Sequence, residues 1–205
     1  MHDHSRDRLI HWAGLYDLGT GLLGRRGSRL RAMIADDLQL QPGDRVLDVG
    51  CGPGRLVKVF AERVAPNGSV AGIDPSPQMI KRATARARKH RVAVNFQVAY
   101  AQGLPFPDAA FDAASCTLAL HHVADDDQQT AVAEMYRVLK PGGRLLIAEF
   151  HRGAGRRRHP GPRWLRHSTE DMLEKALQLI NVAGFKDAAT GNTNLSWLGK
   201  ITARK

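Results

Sequence analysis

Residues 45–54 read Arg45-Val46-Leu47-Asp48-Val49-Gly50-Cys51-Gly52-Pro53-Gly54. A short, β-branched apolar run ends in a turn crowded with glycine, and the stripe Leu56, Val59, Phe60 and Val64 then predicts a helix. Strand, glycine turn and helix in that order form a nucleotide-binding arrangement. Glycine lets the backbone turn sharply and approach a ligand with no Cβ in the way. The unpaired N–H groups at the start of the helix face the same spot. Alone, such a turn can equally be a tight connection. The next strand candidate, Ser69–Asp74, ends in a carboxylate twenty-four residues after Gly50. A carboxylate there can accept hydrogen bonds from both ribose hydroxyls of an adenosine. Together the two features point to a nucleoside.

Spacing narrows the ligand. A dinucleotide site wants G-x-G-x-x-G, but position 55 is Arg and the glycines run G-x-G-x-G. Asp48 stands two residues before Gly50, where its charge disfavours a pyrophosphate and suits the ammonium of a methionine moiety. No Gly-Lys-Ser/Thr follows, so a Walker loop is absent. S-adenosylmethionine is preferred over NAD.

Outward from this stretch, strands and helices alternate. Leu9–Leu23 reads as a helix interrupted by Gly14, Gly19 and Gly21. A better helix carries Leu30, Met33, Ile34 and Leu38 on one stripe before the turn Gln41–Asp44. After Asp74 come a helix over Ser76–His90 and strands at Val92–Val98 and Phe111–Cys116. A helix over Asp126–Lys140, the turn Pro141-Gly142-Gly143 and the strand Arg144–Glu149 follow. Ser168 caps a last helix with Leu173, Ala176, Leu177 and Ile180 aligned and Gly184 as its stop, and strand candidates Lys186–Thr190 and Ser196–Ala203 close the chain. Strands separated by single helices imply βαβ units and a parallel sheet covered on both faces, with ligands at the carboxyl ends of the strands.

Several segments, in order, resemble the class I S-adenosylmethionine-dependent methyltransferases, closest to the group containing the ubiquinone/menaquinone-biosynthesis C-methyltransferases (the methyltransferase type 11 group). They are Val46–Gly54, Gly72-Ile73-Asp74-Pro75-Ser76, Leu104-Pro105-Phe106-Pro107-Asp108, Phe111-Asp112, Leu120-His121-His122-Val123 and Arg137–Gly143. The resemblance implies an α/β fold: a Rossmann-like, doubly wound, mostly parallel seven-stranded sheet with helices on both faces and an antiparallel last strand. It implies one methyltransferase domain over residues 1–205. Within it, 1–43 form an N-terminal helical cap, 44–150 the cofactor-binding core, 151–167 a basic loop, and 168–205 a C-terminal helix and strands.

Site roles follow from the same resemblance. Asp48 and Gly50 would hold the methionine ammonium, with Cys51, Gly52 and Gly54 completing the turn beneath the cofactor. Asp74 would hold the ribose, with Pro75 and Met79 near the adenine and Ala101 and Gln102 at its edge. Thr117 would pass under the methionine chain. Tyr100 departs from the family pattern, which usually has an acidic residue there; tyrosine can stack on the purine, offer its hydroxyl, or point away.

Methyl transfer from a sulfonium needs alignment and exclusion of water more than a dedicated base. His121 and His122, at the carboxyl edge, are the candidate catalytic residues because a histidine can act as a base near neutral pH; the alternative is a structural role. Trp12 and Tyr16, with His11, are candidate lid residues over the substrate, or pack against the sheet edge. Trp164 with Arg163 and Arg166 could line a substrate pocket. Asp125, Asp126 and Asp127 read as helix capping, and no metal site is expected.

Composition bounds the rest. The chain has 205 residues and a net charge of +10, and sixteen of its thirty Lys and Arg lie in Arg25–Arg31, Lys81–Arg91 and Arg152–Arg166, three stretches free of acidic residues. Nucleic acid is therefore an admissible partner, against the simpler reading of solvated helix faces. Two cysteines and no visible signal peptide or bilayer-length apolar run suggest a cytoplasmic protein. The expected activity is methyl transfer to a small-molecule acceptor of apolar or quinone-like character. The alternatives are an RNA or DNA methyltransferase and a non-catalytic S-adenosylmethionine binder. Oligomeric state and the identity of the acceptor are not legible.

Overall fold

The computed structural model describes residues 24–90, 92–151 and 172–205. Its elements are α1 (Gly24–Asp37), β1 (Arg45–Val49), α2 (Arg55–Val64), β2 (Ser69–Asp74), α3 (Pro77–His90), β3 (Asn95–Val98) and β4 (Phe111–Thr117). A 3-10 turn (Leu120–His122), α4 (Asp125–Val138), β5 (Leu139–Phe150), α5 (Met172–Val182), β6 (Lys186–Asn192) and β7 (Leu198–Arg204) follow. The expected helix at Leu9–Leu23, the Ser168 cap and the Arg152–His167 segment lie outside the described residues.

The strands form one seven-stranded sheet in the order β3-β2-β1-β4-β5-β7-β6. β1 pairs in parallel with both β2 and β4, β3 continues on one side and β5 on the other, and β7 runs antiparallel to β5 and β6. Strand order therefore reverses at β1, and a crevice opens beside its carboxyl end. Gly50 sits at that point.

Side chains alternate across β1, and the alternation divides the core. Leu47 and Val49 join the cluster formed with α4, α5 and β7, including Met135, Ile147, Ile180 and Ile201. Val46 joins the opposite cluster with Leu30, Ile34, Leu56, Phe60 and Val64 of α1 and α2. By the same two-residue period, Asp48 belongs to the face of α1 and α2.

The structure departs from the sequence reading in several places. β3 begins at Asn95, not Val92, and α3 at Pro77. In α2, Val57 is buried while Val59 is only partly so. Helix α4 stops at Val138, because Leu139 is already extended (φ −76°, ψ 141°). A proline at 141 leaves too little room for a helix to run through residue 140. The chain thus enters β5 five residues before Arg144, and Pro141-Gly142-Gly143 lies within that strand, where Gly142 N–H donates to the Lys205 carbonyl.

Three of the motif segments serve the scaffold. Arg137 binds Glu134, Asp108 and the carbonyls of Leu104 and Phe106, so it clamps the Leu104–Asp108 loop to α4. At the opposite end of the sheet, Asp112 accepts from Lys140 and from the Arg45 backbone N–H, and Asp44 pairs with Arg144. These fix strand order far from the crevice.

Phe60 is fully buried between α1, α2 and the sheet. Phe60→Ala should lower unfolding free energy by about 3–5 kcal/mol, read as a lower urea midpoint at unchanged slope.

Candidate cofactor and acceptor clefts

The glycine turn is shaped by close approach. Gly50 has φ 70°, and a Cβ added there would lie 2.3 Å from the Ala119 Cβ, so the turn after β1 presses directly on the turn after β4. Gly54, with φ 72°, caps α2, and a Cβ there would press on Ala83 of α3 and on Phe96. Gly54 lines neither cleft described below; it seats α2 against α3 and β3.

The turn is also pinned by charge. Asp74 Oδ2 accepts from Gly52 N–H at 3.0 Å, and Oδ1 accepts from Ser76 N–H at 2.9 Å. Burial raises the Asp74 pKa, and these two N–H donors work against that rise. Asp48 is buried on the other side of the turn, facing its register partner Ser115, whose hydroxyl donates to Asp48 Oδ1 at 2.6 Å. Burial lifts the Asp48 carboxyl to about 7, with Ser115 lowering it and Asp74 raising it. Burial likewise pushes the Cys51 and Cys116 thiols well up, so neither is a ready nucleophile.

Two clefts meet at Gly50, Gly52 and Leu118. The first, about 780 Å³, gathers Asp74, Pro75, Met79, Tyr100, Ala101 and Gln102 from the carboxyl ends of β2 and β3, with His122 on its far side. The second, about 700 Å³, holds Asp48, Cys51 and Thr117 together with Arg31 of α1, Arg55 of α2 and Trp197. The expected cofactor residues other than Gly54 are thus divided between two adjoining spaces.

The histidines separate as well. His122 lines the first cleft. His121 lines neither; its Nδ1 lies 2.8 Å from Oε2 of Glu149, which is fully buried and also accepts the Leu120 N–H. Its ring packs on His122, and edge-on against Phe150, which stacks on Trp197. A row of rings therefore joins the first cleft to the second. Trp12 and Tyr16, with His11, Arg163, Trp164 and Arg166, lie outside the described residues.

Four contributors were not singled out from the sequence: Ser115, Glu149, Arg31 and Trp197. A lone glutamate ending an apolar strand was the available signal for Glu149. Arg31 was hidden inside a basic run, and nothing local marks Ser115 or Trp197.

The arrangement suits a nucleoside carrying an amino-acid tail. Each Asp74 oxygen accepts one N–H and keeps a lone pair for a hydroxyl. The Thr117 hydroxyl is buried in the second cleft with no hydrogen-bond partner among the described residues. The space beside Gly50 is one that a larger residue would close.

Asp48 makes stability depend on pH. Its folded pKa of about 7 exceeds the ordinary value of 3.8, so between these pH values the folded state binds more protons than the unfolded one. The stabilisation is complete below pH ~4 and is lost as pH rises through about 7. Asp48→Asn keeps the oxygen that Ser115 contacts and removes the ionisation. Its melting temperature should exceed that of the parent protein by several degrees at pH 8, with the gap closing toward pH 4.5.

Comparisons with known proteins agree with this geometry. Residues 46–143 match the methyltransferase domain family. The chain is 39% identical over 141 residues to the ubiquinone/menaquinone biosynthesis C-methyltransferase of Hahella chejuensis, covering 67% of this chain and 56% of that protein. It spans about half the length of the curated relatives it matches. A S-adenosylmethionine-dependent methyltransferase from Aquifex aeolicus superimposes with TM-score 0.75 at 20% identity, covering 91% of this chain and 97% of that one. The [4+2]-cyclase SpnF gives TM-score 0.76 at 25% identity, covering 88% and 82%. The strand order and the glycine turn with its acidic partner accompany these matches, and over residues 46–143 the chain is similar to the S-adenosylmethionine-dependent methyltransferases.

Proposed function

We propose that this protein transfers the methyl group of S-adenosylmethionine to a small-molecule acceptor of quinone-like, planar character. The observation that carries the reading is the Asp74 carboxylate at the meeting of two turns, one lone pair free on each oxygen, beside a cleft that contains Tyr100, Ala101 and Gln102. The cofactor supplies an electrophilic methyl on a sulfonium. Asp74 binds the ribose, Asp48 takes the ammonium of the tail, and Thr117 offers its buried hydroxyl. Tyr100 presents its ring on the adenine side.

Alignment falls to the walls. Gly50 and Leu118 line both clefts, and their junction is where an acceptor would be aligned with the methyl that the cofactor would supply. The ring row from His122 to Trp197 gives a planar acceptor a surface to lie against. His122 is the candidate base, and Glu149 is a positioning residue acting through His121. Among the described residues no helix is long and apolar enough to cross a membrane, and both cysteines are free, which supports a reducing, cytoplasmic setting.

A second reading is suggested by the resemblance to a [4+2]-cyclase: a cofactor binder whose reaction is not methyl transfer. Calorimetry and a transfer assay separate the two. S-adenosylmethionine and S-adenosylhomocysteine should both bind, and Asp74→Ala should weaken S-adenosylhomocysteine by about 1–3 kcal/mol. Labelled methyl should pass to a reduced naphthoquinone. Binding without transfer to quinol, phenol or amine acceptors favours the second reading, and absence of binding removes both.

A further inference from the structure

The two helix layers differ in charge at the carboxyl edge of the sheet. Helices α1, α2 and α3 cover one face, packing through Leu30, Ile34, Leu56, Phe60 and Ile80, while α4 and α5 cover the other. The first turns of α1, α2 and α3 hold no acidic residue, whereas α4 opens with Asp125, Asp126 and Asp127. A helix macrodipole favours anions at the N-terminus and cations at the C-terminus. It accounts for the three aspartates of α4 and for Arg88 and Lys89 in the last turn of α3. It opposes Arg25 and Arg26 in the first turn of α1, and gives no reason for Arg29 or Lys81 a turn further along.

These four side chains are exposed, and no hydrogen bond or ion pair engages them among the described residues. The acids of this layer are Asp36, Asp37 and Glu62, all toward the far ends of α1 and α2. Each is paired, with Arg63, Lys200 and Lys58 respectively, and α3 has no acid at all. Gly27 and Leu30 of α1 line the second cleft beside Gly50 and Gly52, and α2 and α3 begin just after the turns that follow β1 and β2. All three helices therefore start at the edge where both clefts lie. Val98, one of two large apolar side chains exposed among the described residues, ends β3 at that edge. By strand alternation it stands on the same side as Phe96, the side that α3 covers.

A polyanion fits this rim, and its setting favours a bilayer over a nucleic acid. Single strands are held by bases stacked on aromatic rings, and no Phe, Tyr or Trp among the described residues is exposed. Basic side chains beside a single exposed valine match a headgroup layer, which needs charge alone. An apolar acceptor also partitions into a bilayer, and the rim adjoins the clefts.

We propose that the rim formed by Arg25, Arg26, Arg29 and Lys81, with Val98 beside it, docks on an anionic phospholipid surface that presents the acceptor. The apolar acceptor proposed above bears only on the choice of a bilayer as partner; the rim itself stands on charge and position. The apolar stripes of the three helices are spent on the sheet, so docking is electrostatic, reversible and weakened by salt.

The test is co-sedimentation of the full chain with vesicles of phosphatidylcholine alone, or with about one third phosphatidylglycerol. The anionic vesicles should bind about tenfold or more tightly at about 50 mM salt, and the difference should vanish at about 500 mM. The triple variant Arg25→Gln, Arg26→Gln, Arg29→Gln should lose about tenfold or more, and adding Lys81→Gln should weaken binding further. The matching triple with Lys at the three positions keeps the charge and should bind within about threefold of the parent. Melting curves confirm that each variant is folded. Equal binding to both kinds of vesicle overturns the proposal. An unchanged affinity in the glutamine triple overturns it as well, since another part of the chain would then carry the binding. Mixed-sequence duplex RNA that binds about tenfold more tightly than anionic vesicles at equal phosphate, and is lost in the glutamine triple, overturns it in favour of a nucleic-acid partner. Calorimetry with S-adenosylhomocysteine should be unaffected by either triple. A parent protein that docks on anionic vesicles but binds no S-adenosylhomocysteine removes the function proposed above and leaves the docking surface standing.

Discussion

The contact of the Gly50 backbone with Ala119 is the constraint on which the site depends. Two turns, one after β1 and one after β4, come so close that even a methyl group has no room between them. That approach brings the carboxyl end of β1 to the point where strand order reverses, and it makes one wall common to two clefts. A bulkier turn would push the β4 loop away and open the junction to water. Positive φ at Gly50, Gly52 and Gly54 lets the chain make the bend without strain.

Buried carboxylates then hold the turns in place, each in a different way. Asp74 is satisfied by two backbone N–H groups and ties the β1 turn to the β2 turn. Glu149 does the same for the β4 turn, through the Leu120 N–H and the His121 ring. Among the described residues Asp48 accepts from the Ser115 hydroxyl alone, and burial raises its pKa well above the usual carboxylate range. A group destabilised in this way in the free protein is well placed to gain from a cationic partner, which would restore its charge at neutral pH. Stability and ligand binding pull in opposite directions at that residue.

The two clefts differ in kind because two faces of the sheet differ in what covers them. Tyr100, Ala101 and Gln102 reach the first from the loop after β3, a setting of backbone edges and small side chains. Asp48, Ser115 and Thr117 share the face toward α1 and α2, and the arginines of those helices meet them there. Apolar packing continues beneath both, and Asp48 and Ser115 are buried against it.

The alternation of strands and helices, the glycine turn and the acidic end of β2 were legible in the sequence, because each is set by local chemistry: side-chain period, backbone freedom and a fixed offset along a βαβ unit. The doubly wound sheet and a nucleoside site follow from them. Where α4 ends was misread by two residues, since a proline-directed change to extended backbone begins before the glycines that mark it. Contacts between residues far apart in the chain were not legible. Ser115 meets Asp48 from 67 residues away, and His121 meets Glu149 from 28. Neither partner is marked by its neighbours in sequence. That Asp48 and Thr117 face a different cleft from Asp74, and that Arg31 faces the same one as Trp197, was decided by strand pairing and helix packing. Local sequence specifies which face of its own element a residue occupies; only the assembled sheet determines what stands opposite.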